Sequence, residues 1–151
     1  MAKIKLAEDF NEFLALCIRH KVKFLIIGGY AVVHYSRPRY TGDLDIWVEM
    51  SQTNAERITA VLRDFGFKGD DASPEPFTKE QQIIRMGFEP FRLEVFTTIP
   101  GVFFADCYPN KTWVNINGND IPFIGLADLK TNKAASGRDK DLLDLKELPE
   151  S

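Results

Sequence analysis

Cysteine is scarce in this chain, with 2 among 151 residues, and Cys17 and Cys107 lie too far apart in sequence to form a Cys-x-x-Cys pair. That excludes a disulfide-stapled secreted scaffold and a thiolate zinc site, and leaves both thiols as small hydrophobes in a reduced compartment. No apolar run approaches the roughly 20 residues that a membrane-spanning helix needs. The first residues, Met1-Ala-Lys-Ile-Lys-Leu-Ala-Glu-Asp9, have no signal-peptide apolar core. A cytoplasmic protein without a membrane partner is expected. Strong net charge is missing too. The 19 basic and 22 acidic residues leave −3, so nothing global points to nucleic acid. Metal-site His/Cys spacing, a Walker A loop and a nucleophile elbow are all absent. What is present, 44% hydrophobic and 27% charged residues, is the composition of one globular domain over residues 1–151.

Periodicity orders the elements. Leu6, Phe10, Phe13, Leu14, Cys17 and Ile18 predict an amphipathic helix over about residues 5–20. Val22–Ile27 is a short apolar run, as in a strand buried on both faces. Gly28-Gly29 interrupts it, a short helix is expected over Tyr30–Tyr35, and Ser36–Gly42 is a loop. Asp43–Glu49 alternates, with Leu44, Ile46 and Val48 on one face and Asp43, Asp45 and Trp47 on the other. Ala55, Ile58, Leu62 and Phe65 mark a second helix, capped by Ser51 or Thr53 and ended by Gly66. A polar loop at Lys68–Glu75 precedes strands at Ile83–Phe88 and Arg92–Thr98 around Glu89-Pro90. Thr112–Asn117 and Ile121–Ile124 flank Gly118-Asn119-Asp120 as a hairpin. Two C-terminal helices, Leu126–Ala135 and Arg138–Leu148, are separated by Gly137. The expected fold class is α/β (α+β), a mixed central sheet flanked by helices.

The chemistry concentrates in the first half. Asp43 and Asp45 share a strand face and repel each other unless a cation sits between them. Mg²⁺ suits such a pair, because it takes one or two carboxylates together with substrate phosphate oxygens. The bland alternative is a polar face on an edge strand. Two-metal chemistry needs a third carboxylate, for which Glu94, in Arg92-Leu-Glu-Val-Phe96, is the candidate. Its alternative is a solvated charge paired with Arg92. Gly28-Gly29 either serves tight packing or lets a triphosphate lie against backbone N–H groups at a helix start. Lys130 and Lys140 read as salt-bridged surface. Arg39 is a candidate for contact with a phosphate or the acceptor, and Arg138 with Asp141 or Asp144 for fixing the last helix against the domain. His34 reads as packing, His20 as a partner of the first helix's C-terminal dipole, and Phe103, Phe104, Tyr108 and Trp113 as core or interface.

The string Ile27-Gly-Gly-Tyr-Ala-Val-Val-His-Tyr35, followed by Arg39-x-Thr41-x-Asp43-Leu-Asp45-Ile-x-Val48, resembles the DNA polymerase β-like nucleotidyltransferase superfamily. With Leu129-Lys-Thr-Asn-Lys133 and Arg138-Asp-Lys-Asp141-Leu-Leu-Asp144, it is similar to small bacterial nucleotidyltransferase-like proteins related to abortive-infection and toxin–antitoxin components. The likeness spans about residues 22–148. It implies that Asp43, Asp45 and Glu94 hold Mg²⁺, as one or two ions or with Mn²⁺ in its place, and that Glu94 helps to deprotonate the acceptor hydroxyl. Gly28, Gly29, Arg39, Thr41 and Lys133 would contact the nucleotide. The chain departs from the pattern in having Gly29 where a serine is common and Glu94 where an aspartate is.

Three functions are compatible with these residues. The leading one is Mg²⁺-dependent transfer of NMP from an NTP to a hydroxyl of a protein, RNA or small molecule. The acceptor site would be borrowed from a partner protein of toxin–antitoxin type or from a second copy in a homodimer. The second is a nucleotidyltransferase-fold antitoxin or regulator with weak or no catalysis. A phosphodiesterase-like hydrolase is the third.

Overall fold

Six strands align in the order β3-β4-β2-β1-β6-β5 in a computed structural model that describes residues 7–67, 72–88 and 91–150. The strands are β1 (Phe24–Ile27), β2 (Asp43–Val48), β3 (Ile83–Phe88), β4 (Phe91–Phe96), β5 (Thr112–Ile116) and β6 (Asn119–Phe123). The helices are α1 (Glu8–Arg19), α2 (Gly28–Tyr35), α3 (Gln52–Phe65), α4 (Phe104–Cys107), α5 (Leu126–Ser136) and α6 (Asp139–Glu147). The sheet is mixed. β1 runs antiparallel to β2 and parallel to β6, β2 runs parallel to β4, and two antiparallel hairpins close the edges. This is the mixed α/β architecture expected.

Alternation sorts the sheet into two faces. Leu44, Ile46 and Val48 are fully buried, and with Phe24, Ile26, Leu93 and Val95 they form the face beneath α1 and α3. Phe10 and Phe13 of α1, with Phe65 and Phe67 at the end of α3, line a small apolar cavity of about 80 Å³ against Leu93 and Met86. The opposite face carries Asp43, Asp45, Trp47 and Glu94. Trp47 is buried there, donating from Nε1 to the Thr97 carbonyl (3.2 Å) and meeting Phe104 edge-on.

Local signals explain the element ends. Ser51 caps α3 by accepting from the Asn54 N–H, and Gly66 ends it in the left-handed conformation at φ 115°. Buried Asn54 ties α3 to the preceding strands, accepting from the Lys23 N–H and donating to the Lys23 and Glu49 carbonyls. Three expectations shift. Helix α2 begins at Gly28 itself rather than Tyr30, because Gly28 can take φ 67° directly after the strand. The β5–β6 turn is Asn117-Gly118, with both residues at positive φ as a two-residue hairpin requires, rather than Gly118-Asn119-Asp120. The 3₁₀ turns at Glu75–Thr78 and Tyr108–Asn110 and the one-turn helix α4 were not legible from periodicity. The expected turn at Glu89-Pro90 and the start of the Lys68–Glu75 loop lie outside the described residues.

Candidate active-site cleft

Strand register assembles the carboxylates. Asp45 stands opposite Ile27 on β1 and opposite Glu94 on β4, while Asp43 stands opposite Arg92. Because paired residues share a face, Asp43, Asp45 and Glu94 project to the same side of the sheet. Gly28 follows Ile27 directly, so the start of α2 lies against Asp45. A methyl group at Gly28 would fall on Asp45 Oδ2, and one at Gly29 would sit 2.7 Å from Thr41 Cγ2. Gly28 is therefore favoured by contact and by its φ of 67°, and Gly29 by contact alone.

A cleft of about 390 Å³ opens at this point. Gly29, Thr41, Asp43 and Asp45 line its carboxylate side, and Arg39, Tyr40 and Lys140 its other walls. Two buried polar atoms within it, Asp45 Oδ1 and Thr41 Oγ1, make no hydrogen bond among the described residues. Burial and then the nearby charges of Glu94 and Asp43 push the Asp45 carboxyl up to about 7, with Lys140 and Lys133 opposing the shift. A buried oxygen without a partner costs on the order of 1–3 kcal/mol, so a bonding partner for either atom would add stability.

The other carboxylates are already engaged. Arg92 reaches Asp43 with Nε at 3.4 Å and Nη2 at 3.3 Å, and Arg85 Nε donates to Glu94 Oε2 at 3.0 Å. The pairing of Glu94 with Arg92 read from sequence is thus replaced by one across the β3–β4 hairpin, where Arg85 is the register partner. Among the described residues no group of three carboxylate, imidazole or thiol side chains is gathered closely enough to hold a metal ion. The hard-oxygen donors of Asp43 and Asp45, one with an orphaned oxygen, nevertheless suit Mg²⁺ bound jointly with phosphate oxygens.

The C-terminal cations form a separate network behind the cleft. Lys133 is buried on α5 and holds Asp141 (3.2 Å) and Asp144 (3.1 Å) of α6. Asp144 also receives Arg39 Nη1 at 2.7 Å, and Asp141 receives Arg138 Nε at 2.8 Å. Burial would raise both aspartates. Hydrogen bonds from Arg138, Ser136 and Lys133 outweigh it at Asp141, and those from Arg39 and Lys133 at Asp144, so both are held below the ordinary carboxylate range. Arg138, expected to fix the last helix against the domain, instead makes a local pair within the first turn of α6, and Lys133 ties that helix to α5. Lys133 and Arg39 are occupied by aspartates, although Arg39 also lines the cleft.

Lys140, read from sequence as salt-bridged surface, lines the cleft instead. Its position one residue before Asp141, at the start of α6, was the available signal. Tyr40 is exposed at the rim and also escaped the sequence reading. His34 packs against Tyr35 and Phe123, as expected, and burial lowers its pKa. His20 caps α1 and meets Asp64 at 2.6 Å. Phe103 and Trp113 are exposed, so of the two alternatives, core or interface, the core one fails for them, Trp113 lying on the edge strand β5.

No protein-family model matches the chain, and no characterised protein matches its sequence. Solved structures do match in fold. A candidate nucleotidyltransferase from Thermotoga maritima superimposes with a TM-score of 0.60 at 15% identity, over 91% of this chain and 88% of that one. The lincosamide antibiotic adenylyltransferase LnuA, solved with lincomycin, gives 0.60 at 17% identity over 95% and 97%. ANT(2″)-Ia in complex with adenylyl-2″-tobramycin gives 0.54 at 12% identity over 91% and 83%. The chain has the fold shared by these nucleotidyltransferases. No helix among the described residues is long and apolar enough to cross a membrane, and both cysteines are free and buried.

Proposed function

We propose that this protein transfers a nucleoside monophosphate from an NTP to a hydroxyl acceptor and releases pyrophosphate. The observation that carries the reading is the pair of orphaned atoms, Asp45 Oδ1 and Thr41 Oγ1, on residues that line a cleft and that added methyl groups at Gly28 and Gly29 would meet. Asp43 and Asp45 would hold Mg²⁺ or Mn²⁺, with Glu94 completing the site if a second ion enters. When bound, the cation neutralises phosphate oxygens and eases departure of pyrophosphate. The N–H groups at the start of α2 face the same space and suit phosphate. The Thr41 hydroxyl donates to an NTP oxygen, and Lys140 adds positive charge at the opposite wall. Glu94, beside Asp45, accepts the proton from the acceptor hydroxyl. Likeness in fold to LnuA, an enzyme named for adenylylating an antibiotic, supports a small-molecule acceptor.

A second reading, a partner-binding regulator of this fold with little catalysis, is favoured by the arginines already seated on Asp43 and Glu94. Thermal unfolding with ATP, GTP, CTP and UTP, each with and without Mg²⁺, separates the two. A metal-dependent stabilisation by an NTP, lost in Asp43→Asn/Asp45→Asn, is the expected outcome. No response to any NTP would favour the regulator.

A further inference from the structure

We infer that Arg85 and Arg92 are placeholders for the cation, each closing over one carboxylate in the metal-free protein and turning to the nucleotide's phosphates when the cation displaces it. The inference rests on the nucleotidyl-transfer reading above and adds a coupling between its two ligands. The β3–β4 hairpin puts both arginines on the carboxylate face, through the pairs Arg85–Glu94 and Arg92–Asp43. Their guanidinium groups are the accessible partners. The Arg85 side chain is 61% exposed against 13% for Glu94, and Arg92 is 37% exposed against 32% for Asp43. Such exposed pairs hold weakly and reopen readily.

The contrast with Lys133 is decisive. Its side chain is 7% exposed and grips two aspartates that are 1% and 3% exposed, so moving it would strand buried charge. The hairpin pairs reach solvent, and a divalent ion competes for their hard oxygens with twice the charge. Once Asp43 and Glu94 are neutralised, two guanidinium forks remain on the carboxylate face of the sheet. Their geometry matches phosphate oxygens. Cation and nucleotide therefore each bind poorly alone and strengthen each other, a reciprocal linkage.

The test needs no turnover. Mn²⁺ binding is followed by electron paramagnetic resonance, alone and with an ATP analogue carrying a methylene bridge between the α and β phosphorus atoms. In the wild type the analogue should tighten Mn²⁺ binding. In Arg85→Gln/Arg92→Gln, Mn²⁺ alone should bind about tenfold more tightly, the combined worth of two exposed ion pairs, and the tightening by the analogue should shrink. Unchanged or weaker Mn²⁺ binding by the variant, with both ligands still binding the wild type, overturns the inference and leaves the transferase reading intact. A wild type that binds neither ligand, alone or together, overturns both. Should the variant not fold, the wild type decides. The Nε–H resonances of Arg85 and Arg92 should move on addition of Mg²⁺ alone, and resonances that stay fixed at high Mg²⁺ overturn the inference.

Discussion

Two clusters of charge lie close together in this protein, and they are built on opposite rules. Around Lys133, each buried aspartate has two cationic partners, and α5 is bound to α6 as a result. Around Asp45, a buried carboxylate oxygen and a buried hydroxyl have none. The first cluster supports the second, since Arg39 belongs to the network and to the cleft wall. A saturated network resists change, and an unsaturated one awaits a ligand. Charge density alone would not have told them apart.

The sharpest way to break the comparison is Lys133→Met. It leaves two buried carboxylates short of a partner and should cost about 3–5 kcal/mol of stability, measured by urea unfolding. A loss below about 1 kcal/mol, the range of an exposed pair, would mean that the network is ornamental. Gly28→Ala follows. The added methyl meets Asp45 and the residue sits at φ 67°, so a loss of about 2 kcal/mol is expected, together with loss of the NTP-induced thermal shift. Retained nucleotide binding would remove Gly28 from the site.

The clusters also answer pH in opposite senses. Asp45 is raised from 3.8 to about 7, so its contribution to stability is full below the unfolded value and is lost as pH rises through about 7. Asp141 and Asp144 are lowered, so theirs is present above the unfolded value and is lost as pH falls below it. Between pH 5 and 8 the metal-free protein should lose about 2 kcal/mol through Asp45, a figure reduced for partial solvent access. Asp45→Asn should flatten that slope and stabilise the metal-free protein at pH 8, as thermal unfolding across pH would register. Destabilisation by Asp45→Asn at pH 8 would make Asp45 structural. The smallest expected effect is that of Thr41→Val. It removes an unpartnered buried hydroxyl, so unfolding should be unchanged or harder by up to about 1 kcal/mol, while NTP affinity falls. Unaltered affinity by calorimetry would leave Thr41 without a ligand to bond.

Most of the fold was legible because helix and strand periods are strong here. The alternation at Asp43–Val48 is enough to put both aspartates on one face, and Ser51 and Gly66 mark the ends of α3. Partnerships were harder to read. Glu94 and Arg92 share a strand face, which made them a natural pair on paper. Cross-strand neighbours lie closer than residues two apart on one strand, however, and the register that supplies Arg85 and Asp43 is a property of the assembled sheet. Lys133 was visible as a helix lysine, but its aspartates depend on how α6 folds back after Gly137. Trp113 stayed open between core and interface because nothing in its own segment reveals that β5 is an edge.

The parallel pairing of β2 with β4 has a consequence for the life of the chain before it is native. Asp43 and its partner Arg92 are 49 residues apart in sequence, with α3 and the β3 strand threaded between them. Closing a span of that length is an entropic cost met before the contacts reward it. The aspartates alone can form on a local segment with β1, yet Glu94 joins them only when the far side of the sheet has docked. A partly folded chain thus presents the glycines and two acids without Glu94, and the three carboxylates share one face only after β2 and β4 have paired.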